Sequence, residues 1–469
     1  MTSRTKLWWL WIVSAVVLTA VLGYIMLAEH MDKTIFMPGE LSNGHHQLAQ
    51  ACDACHMDAF GGGEVLQKAC VDCHGDQRVK PLDSHPAAKF KDPRNADLLE
   101  NIDALHCVSC HSEHKGEITL KDGLTQPLDF CVYCHSDIGE DRESHKDMAF
   151  DTCKNSGCHN FHNNRALYTK YLQKHLHEPE TLAEARVPQR EFGSIIDQLA
   201  EYPIDRYPLQ ALTLAEIDVE LRHSKDEVIN NDWLASRHAQ AGVNCSACHD
   251  ADNSTTWNAR PQQQACKGCH DVEVSRLMQG KHGMRLQQGL SPMTPAQARL
   301  PMRDESAHEK LTCNSCHPAH AYDIHTAAVD ACLDCHNDEH SLAYKQSKHF
   351  ALWQREMSGD LPAGSGVSCA TCHMPRINHD INDWMSRVIV DHNQSANLSP
   401  NSKMIRSACQ NCHGLEFSID AMADDVLIKN NFTGRPGLHV ESMGMAQRDL
   451  ERHQEETSEQ DDDSGMFGF

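Results

Sequence analysis

The sequence predicts a mostly α-helical protein with extensive irregular loops, organised as two cysteine-rich domains behind one N-terminal transmembrane helix. Aromatic residues make up only 6% of the 469 residues and the mean hydropathy is -0.54, so an ordinary apolar core is small. Cysteine and histidine are abundant, with 22 and 33 copies. The third observation is an uncharged apolar stretch near the N-terminus. Together they predict a fold that depends on bound prosthetic groups.

A repeated motif accounts for every cysteine. All 22 cysteines form pairs followed directly by histidine, and ten of the eleven pairs have the form Cys-x-x-Cys-His. We call each such segment a box. The eleventh box is wider, with four residues between Cys153 and Cys158. The other cysteines are Cys52, Cys55, Cys70, Cys73, Cys107, Cys110, Cys131, Cys134, Cys245, Cys248, Cys266, Cys269, Cys313, Cys316, Cys332, Cys335, Cys369, Cys372, Cys409 and Cys412. The box histidines are His56, His74, His111, His135, His159, His249, His270, His317, His336, His373 and His413.

The box is the attachment sequence of haem c, because its thiols form thioethers with the haem vinyl groups and its histidine reaches the iron. A single Cys-x-x-Cys pair is more often a zinc or redox motif, but zinc does not require a histidine after each pair. Since every pair here has that histidine, we predict eleven haems with the box histidines as proximal ligands. No cysteine remains for a disulfide.

Histidines outside the boxes are twice as numerous as those inside, so each iron can have a second, distal histidine. Two axial histidines favour outer-sphere electron transfer over chemistry at the iron. In the N-terminal half the distal candidates are His46 (or its neighbour His45), His85, His114, His145 and His162, with His106 a weaker candidate. His238 and His282 are candidates in the C-terminal half.

Three boxes carry another histidine three residues after the box histidine, at His114, His162 and His320. A residue at this spacing lies on the same helical face and cannot reach the far side of the same iron. We therefore expect these histidines to ligate a neighbouring haem.

Box spacing predicts the domain organisation. Residues 44–165 hold five boxes and residues 233–436 hold six, and we predict one haem domain for each range. Residues 166–232 lack cysteine and show apolar residues at helical spacing broken by prolines, which predicts a helical connector. Residues 437–469 begin as a short helix and end in a solvated acidic tail.

The N-terminal stretch from Leu7 to Leu27 contains no charge and is long enough to cross a hydrocarbon core of roughly 30 Å. We predict a single-pass anchor over residues 7–28, with residues 1–6 in the cytoplasm because Arg4 and Lys6 precede the span. The boxes then lie in the periplasm of a bacterium, on the outer side of the inner membrane. A cleaved signal peptide is the alternative, although its apolar region is usually shorter and ends in a small-residue site.

The formal net charge of -24 argues against nucleic acid as a partner and for basic redox proteins.

The C-terminal half resembles a known lineage. The run CNSCHPAHAYDIHTAAVDACLDCHNDEHSLAYKQSKHF and the segment CATCHMPRINHD are similar to the octahaem hydroxylamine oxidoreductases and the ammonia-forming cytochrome c nitrite reductases. This resemblance covers about 180 residues. It implies distal roles for His320, His340, His349 and His379, and it makes the haem at His270 the counterpart of the substrate-binding haem. The N-terminal half resembles the small tetra- and pentahaem carriers of the cytochrome c3 type.

The chain also departs from that lineage. The nitrite reductases attach the substrate-binding haem through a box that ends in lysine, whereas every box here ends in histidine. Hydroxylamine oxidation in the lineage depends on a tyrosine late in the chain, but the last tyrosine here is Tyr344, before the final two boxes.

These patterns predict a membrane-anchored electron-transfer protein that connects a quinol-linked membrane donor with a terminal redox partner, in either direction. No catalytic residue is assigned. The alternative is a reductase of nitrite, hydroxylamine or a sulfur oxyanion at an open haem held by Cys266, Cys269 and His270. Lys281, Arg285, Arg303 and His308 would then serve an oxyanion or donate protons. A subunit of a haem filament or of a larger respiratory complex is a third hypothesis.

Overall fold

The structure is a computed structural model that describes residues 2–28, 32–58, 61–79, 85, 87–100, 102–120, 123–127, 129–146, 161–162, 167–189, 210–219, 226–250, 257–383 and 385–465. Within these residues the chain is mostly helical, and its sheet is one two-stranded hairpin. The predicted mostly α class is confirmed. The wide box at Cys153, Cys158 and His159 lies outside the described residues.

Contacts divide the chain into two compact units. One unit contains Met1–Asp72 and His106–Gln126, and the other contains Cys73–Leu105 and Pro127–Phe469. These bounds differ from those that box spacing predicts, so the division into a five-haem and a six-haem domain stays a prediction.

The helices are mostly short, as expected for a chain in which single turns hold boxes. Those of the first 250 residues are α1 (Ser3–Leu27), α2 (Gly63–Val79), α3 (Ala87–Lys91), α4 (Val132–His135), α5 (Ile138–Asp141), α6 (Thr169–Lys174), α7 (Glu227–Ala235), α8 (Arg237–Gln240) and α9 (Ser246–His249). Those that follow are α10 (Gln263–Lys267), α11 (Asp271–Gln279), α12 (Met284–Gln287), α13 (Cys313–Cys316), α14 (Ile324–Ala328), α15 (Asp330–Leu333), α16 (Glu339–Ala343), α17 (Lys348–Met357) and α18 (Cys369–His373). After the hairpin come α19 (Gln394–Leu398), α20 (Met404–Ser407), α21 (Leu415–Ala423), α22 (Asp425–Lys429) and α23 (Ser442–Gly465).

Helix α1 is the predicted N-terminal span. Its segment Ser3–Met26 has a mean hydropathy of 2.1 and is long and apolar enough to cross a membrane. A membrane anchor and a signal sequence share these properties.

The hairpin consists of β1 (Arg376–Asn382) and β2 (Met385–Val390), which pair antiparallel from Arg376 opposite Val390. It follows the box on α18 directly. Two ion pairs fix it to α11: Arg387 lies 3.6 Å from Glu273, and the Arg276 guanidinium grips the buried Asp391 carboxylate with two nitrogens. The hairpin therefore connects the box on α18 with α11, the helix that follows the box of His270.

An ordinary apolar core exists beside the last box. Leu415 and Ile419 of α21 pack with residues of α6, α20 and α23, including Leu172, Ile405 and Met443. Leu415, Ile405 and Ile419 are almost fully buried. Because α23 contributes to this core and extends over Ser442–Gly465, the prediction of only a short helix after residue 437 is wrong.

Within the predicted connector, some of the residues that the structure describes are helical. Helix α6 and the start of α7 lie within residues 166–232, together with a short 3-10 turn at Leu214–Glu216. Residues 181–186 run along the box that ends at His413, with Leu182 N–H donating to the Cys412 carbonyl at 2.8 Å and Arg186 N–H donating to the Asn411 carbonyl at 2.6 Å. This segment therefore belongs to the surroundings of a box.

Candidate haem-binding sites

Each described box folds as one helical turn. The N–H of the box histidine donates to the carbonyl of the first cysteine, as in His56 to Cys52 at 2.8 Å and His413 to Cys409 at 2.9 Å. This i to i+4 bond sets the two sulfurs, three residues apart, on the same side of the turn. The Cys-x-x-Cys-His spacing is therefore a local backbone geometry that presents two thiols and one imidazole together.

Histidine rings face the box histidines at a nearly constant separation. In eight pairs the ring centroids are 5.9 to 6.4 Å apart. The pairs, box histidine first, are His56–His114, His135–His85, His249–His320, His270–His238, His317–His392, His336–His282, His373–His340 and His413–His349.

This separation fits a metal ion held between two imidazoles. An imidazole nitrogen binds a transition metal at roughly 2.0 Å, so two rings on opposite sides of one ion have centroids about 6 Å apart. Direct stacking gives closer rings, as in the 4.5 Å between His249 and Trp257. With two thiols beside each pair, these residues fit a covalently attached haem with two axial histidines.

Hydrogen bonds at the second ring nitrogen orient many of these histidines. His249, His392 and His413 place Nδ1 against the carbonyl oxygens of Asn258, Val390 and Glu180, at 2.7, 2.9 and 2.9 Å. His85 and His114 do the same with Phe161 and Gly39, at 2.6 and 3.1 Å. A carbonyl only accepts, so Nδ1 carries the proton and Nε2 keeps its lone pair. Such a bond fixes a metal-ligating imidazole in its working tautomer.

Burial keeps several of these rings neutral. It lowers the pKa of His282, His317, His349 and His373 to about 4, and the facing imidazole adds to the effect. A neutral imidazole offers its lone pair to a metal, whereas a protonated one does not.

Two histidines of the closely spaced motif face boxes other than their own. His114 follows the box of His111 and faces His56, and His320 follows the box of His317 and faces His249. Both have left-handed backbone, with φ of 59° and 70°. The backbone turn after the box directs the third residue away from its own box toward the neighbouring one.

Two placements differ from what the sequence suggests. His392, which the sequence patterns do not single out, faces His317, because the hairpin carries the chain away from α18 and returns it at Val390. The distal role of His379 stays a prediction. His379 lies half-buried on β1. No sequence signal marked His392, since its role depends on the hairpin register.

The second difference concerns His270, where the alternative reductase hypothesis places an open haem. His238 of α8 faces His270 at 6.1 Å, whereas His282 faces His336. His282 is half-buried and not exposed as its glycine-flanked sequence suggests. Gly283 explains this, because a Cβ there would collide with the Leu277 carbonyl, so glycine lets the loop pack against the end of α11.

The four polar residues that the reductase hypothesis names near His270 have the following contacts and exposure. Arg303 donates from Nε to the Leu333 carbonyl at 2.6 Å, next to the box of His336. Arg285 is buried and donates to the Ser291 carbonyl at 3.0 Å. His308 and Lys281 are exposed.

The remaining N-terminal candidates keep their predicted status. His46 holds Nδ1 at 3.0 Å from the Asn43 carbonyl, and the neighbouring His45 contacts Glu113 at 2.7 Å. Burial opposes ionisation of Glu113, but hydrogen bonds from His45 and Ser42 lower its pKa to about 2. The choice between His45 and His46 stays open. His145 and His162 also remain predicted ligands.

Thiols of consecutive boxes approach one another along the C-terminal half. The Cys313 thiol contacts that of Cys266, and the Cys332 thiol contacts that of Cys369, which raises the pKa of Cys313 and of Cys332. Burial raises the pKa of Cys248, Cys316 and Cys372, and nearby thiols of the next box add to the effect: Cys266 and Cys269 beside Cys248, Cys332 and Cys335 beside Cys316, and Cys412 beside Cys372. The six boxes from Cys245 to His413 therefore follow one another in space in their sequence order.

Comparison with known proteins agrees with this geometry in the N-terminal half. Residues 44–136 match the family model of cytochrome c3, and the match contains the boxes that end at His56, His74, His111 and His135. No curated protein and no solved structure matches the chain. The predicted resemblance to cytochrome c3 is confirmed over this range, whereas the resemblance of the C-terminal half to hydroxylamine oxidoreductases stays a prediction. The match supports a multihaem c-type cytochrome that binds haem c and transfers electrons.

Proposed function

We propose that this chain is a membrane-attached cytochrome with eleven haems, which relays electrons between a quinol-linked membrane donor and a terminal redox partner. The observation that carries the proposal is the set of facing histidine pairs at the boxes. Haem iron with two axial histidines supplies one-electron, outer-sphere transfer.

The protein's own residues perform three tasks in this proposal. The box cysteines would anchor each haem, and the two facing imidazoles would hold its iron. Backbone carbonyls fix the tautomer and ring orientation of several ligands, as Asn258 does for His249. The contacts between consecutive boxes keep neighbouring cofactors close, which short-range electron transfer requires.

The six boxes from Cys245 to His413 support electron transfer over catalysis at an iron. All six of its box histidines have a facing histidine, including His270 with His238 at 6.1 Å. Since the reductase hypothesis requires an iron with an open position, the placement of His238 counts against it. No separate observation favours a reductase of nitrite, hydroxylamine or a sulfur oxyanion.

Electron paramagnetic resonance of the purified protein, with a haem count by intact mass, tests the proposal. We expect eleven haems and low-spin ferric signals that cyanide and nitrite leave unchanged. A high-spin signal that shifts with nitrite would instead support the reductase hypothesis. A measured mass equal to that of the polypeptide without haem would refute both hypotheses.

The membrane attachment needs its own measurement, because α1 has the properties of an anchor and of a signal sequence. We propose an uncleaved anchor with the boxes in the periplasm and the basic Arg4 and Lys6 on the cytoplasmic side. Mass spectrometry of the membrane fraction should find a mature chain that retains α1. A mature chain that begins after α1 would show a cleaved signal sequence.

A further inference from the structure

Left-handed backbone is concentrated around the distal histidines. Among the described residues, the non-glycine residues with positive φ are His114, His320, Tyr322, Asn431 and Phe432, with φ of 59°, 70°, 47°, 52° and 57°. Such conformations cost energy and persist only where the surroundings enforce them. Two of these residues face a box histidine, and the other three contact or adjoin the distal rings His238 and His340.

The rings of Tyr322 and His238 form a T-shaped contact. Their centroids are 4.6 Å apart with planes at 84°. His238 in turn faces His270 with ring planes at 85°. Tyr322 is half-buried and lies near Cys248, Cys266 and Cys313, so it occupies the junction of three consecutive boxes.

Phe432 makes a similar, looser contact with His340. The two centroids are 6.3 Å apart with planes at 89°, and His340 faces His373 with planes at 75°. Asn431, which precedes Phe432, donates from Nδ2 to the His340 carbonyl at 3.1 Å. The same kind of strained backbone therefore brings an aromatic edge to a distal histidine at a second box.

The pairs whose distal histidine is itself left-handed have a different geometry. The planes of His249 and His320 differ by 11°, and those of His56 and His114 by 28°. The facing rings are therefore closer to parallel where the distal histidine itself has left-handed backbone. They are closer to perpendicular where the left-handed residue is an aromatic neighbour of the distal histidine.

Ring orientation matters because each imidazole plane interacts with one of two iron dπ orbitals. Parallel rings act on the same orbital, separate the two energies and stabilise the ferric state. Perpendicular rings act on one orbital each and leave the energies of the two orbitals nearly equal. A perpendicular pair therefore gives a strongly anisotropic low-spin signal with a large maximum g value and a more positive potential, at unchanged ligand identity.

We propose that Tyr322 and Phe432 are positioning residues that hold His238 and His340 perpendicular to their box histidines, which makes these two haems more oxidising than those with parallel rings. This inference rests on the proposed function, since it requires haem with two axial histidines at both boxes. The aromatic edge restricts rotation of the distal imidazole about the axis through the iron.

The test compares Tyr322→Leu and Tyr322→Phe in the full-length protein loaded with haem. In Tyr322→Leu we expect one strongly anisotropic low-spin component to be replaced by a rhombic one, and one midpoint potential to fall in a spectroelectrochemical titration. Tyr322→Phe keeps the ring edge and should retain the wild-type signal. Tyr168→Leu is the matched control, because Tyr168 is 46% exposed and contacts another tyrosine, and it should change nothing.

Unchanged spectra and potentials in fully loaded Tyr322→Leu would overturn the inference. Loss of the anisotropic component in Tyr322→Phe as well would also overturn it, because the hydroxyl and not the ring edge would then be responsible. If Tyr322→Leu fails to retain its haems, Phe432→Leu provides the same test at His340. Absence of low-spin signals from the wild-type protein would instead refute the proposed function.

Discussion

Residues 44–136 and residues 245–413 differ in the evidence that connects them with haem binding. The first range matches the cytochrome c3 family, and facing histidines are seen there for the boxes of His56 and His135. The second range has no such match, yet each of its six box histidines faces another histidine. Family likeness therefore follows the attachment motif, whereas the second ligand follows the tertiary structure.

The histidines that face the boxes come from several kinds of element. His114 of the first range and His320 of the second follow a box through a left-handed turn. Three of the six in the second range lie on helices: His238 on α8, His340 on α16 and His349 on α17. His392 comes from the end of a hairpin. Ligands on such elements can be tested one by one, because each belongs to a different element.

The largest expected effect is removal of a ligand that only the structure identifies. His392→Ala should leave the His317 iron with one axial histidine, which gives one high-spin haem that binds carbon monoxide. His379→Ala is the matched control, thirteen residues before His392 on the same hairpin segment, and should leave the low-spin spectrum intact. The opposite result would restore His379 as the ligand.

The second prediction concerns the box where the reductase hypothesis places its open iron. His238→Ala should convert the His270 haem to a high-spin form that binds nitrite or hydroxylamine, since the facing imidazole is removed. Optical titration with each ligand checks this against the wild type, which should not respond. A wild-type response equal to that of the variant would mean that His238 does not ligate the iron.

The third prediction addresses the apolar core beside the last box. Leu415 is 0% exposed, so Leu415→Ala should lower the free energy of unfolding by about 2–5 kcal/mol. Denaturant unfolding of the holoprotein, followed by far-ultraviolet circular dichroism, measures the change. Leu214→Ala is the control, because Leu214 is 51% exposed. Equal stability of the two variants would mean that bound haem and not this core determines stability.

The smallest effect is expected where the hairpin is fixed to α11. The Asp391 side chain is 3% exposed and paired with Arg276, so Asp391→Asn should lower stability by about 1–3 kcal/mol and shift the spectrum of the His317 haem slightly. The exposed Asp92–Arg94 pair offers Asp92→Asn as a control without measurable effect. A spectral shift in the control variant alone would mean that the Arg276–Asp391 ion pair does not influence the haem at His317.

Sequence determined much of the site chemistry but less of the fold. Eleven boxes account for every cysteine, so the predicted attachment positions and proximal ligands follow from local spacing, which one helical turn realises in each box that the structure describes. The proposal that a histidine three residues after a box serves a neighbour also follows from helical geometry, and the placements of His114 and His320 support it. The short helices and the N-terminal span were predictable from composition and periodicity.

Distal ligands, by contrast, are long-range contacts between segments with no shared motif. His392 faces His317 only because the hairpin pairs Arg376 with Val390, and His238 faces His270 across more than thirty residues of chain. Ring planes depend on further neighbours such as Tyr322, whose left-handed backbone has no sequence signature. The sequence therefore determined the boxes where haem attachment is predicted, and only the tertiary structure decided which histidine faces each box histidine and in which orientation, because opposing rings are brought together by packing and not by spacing.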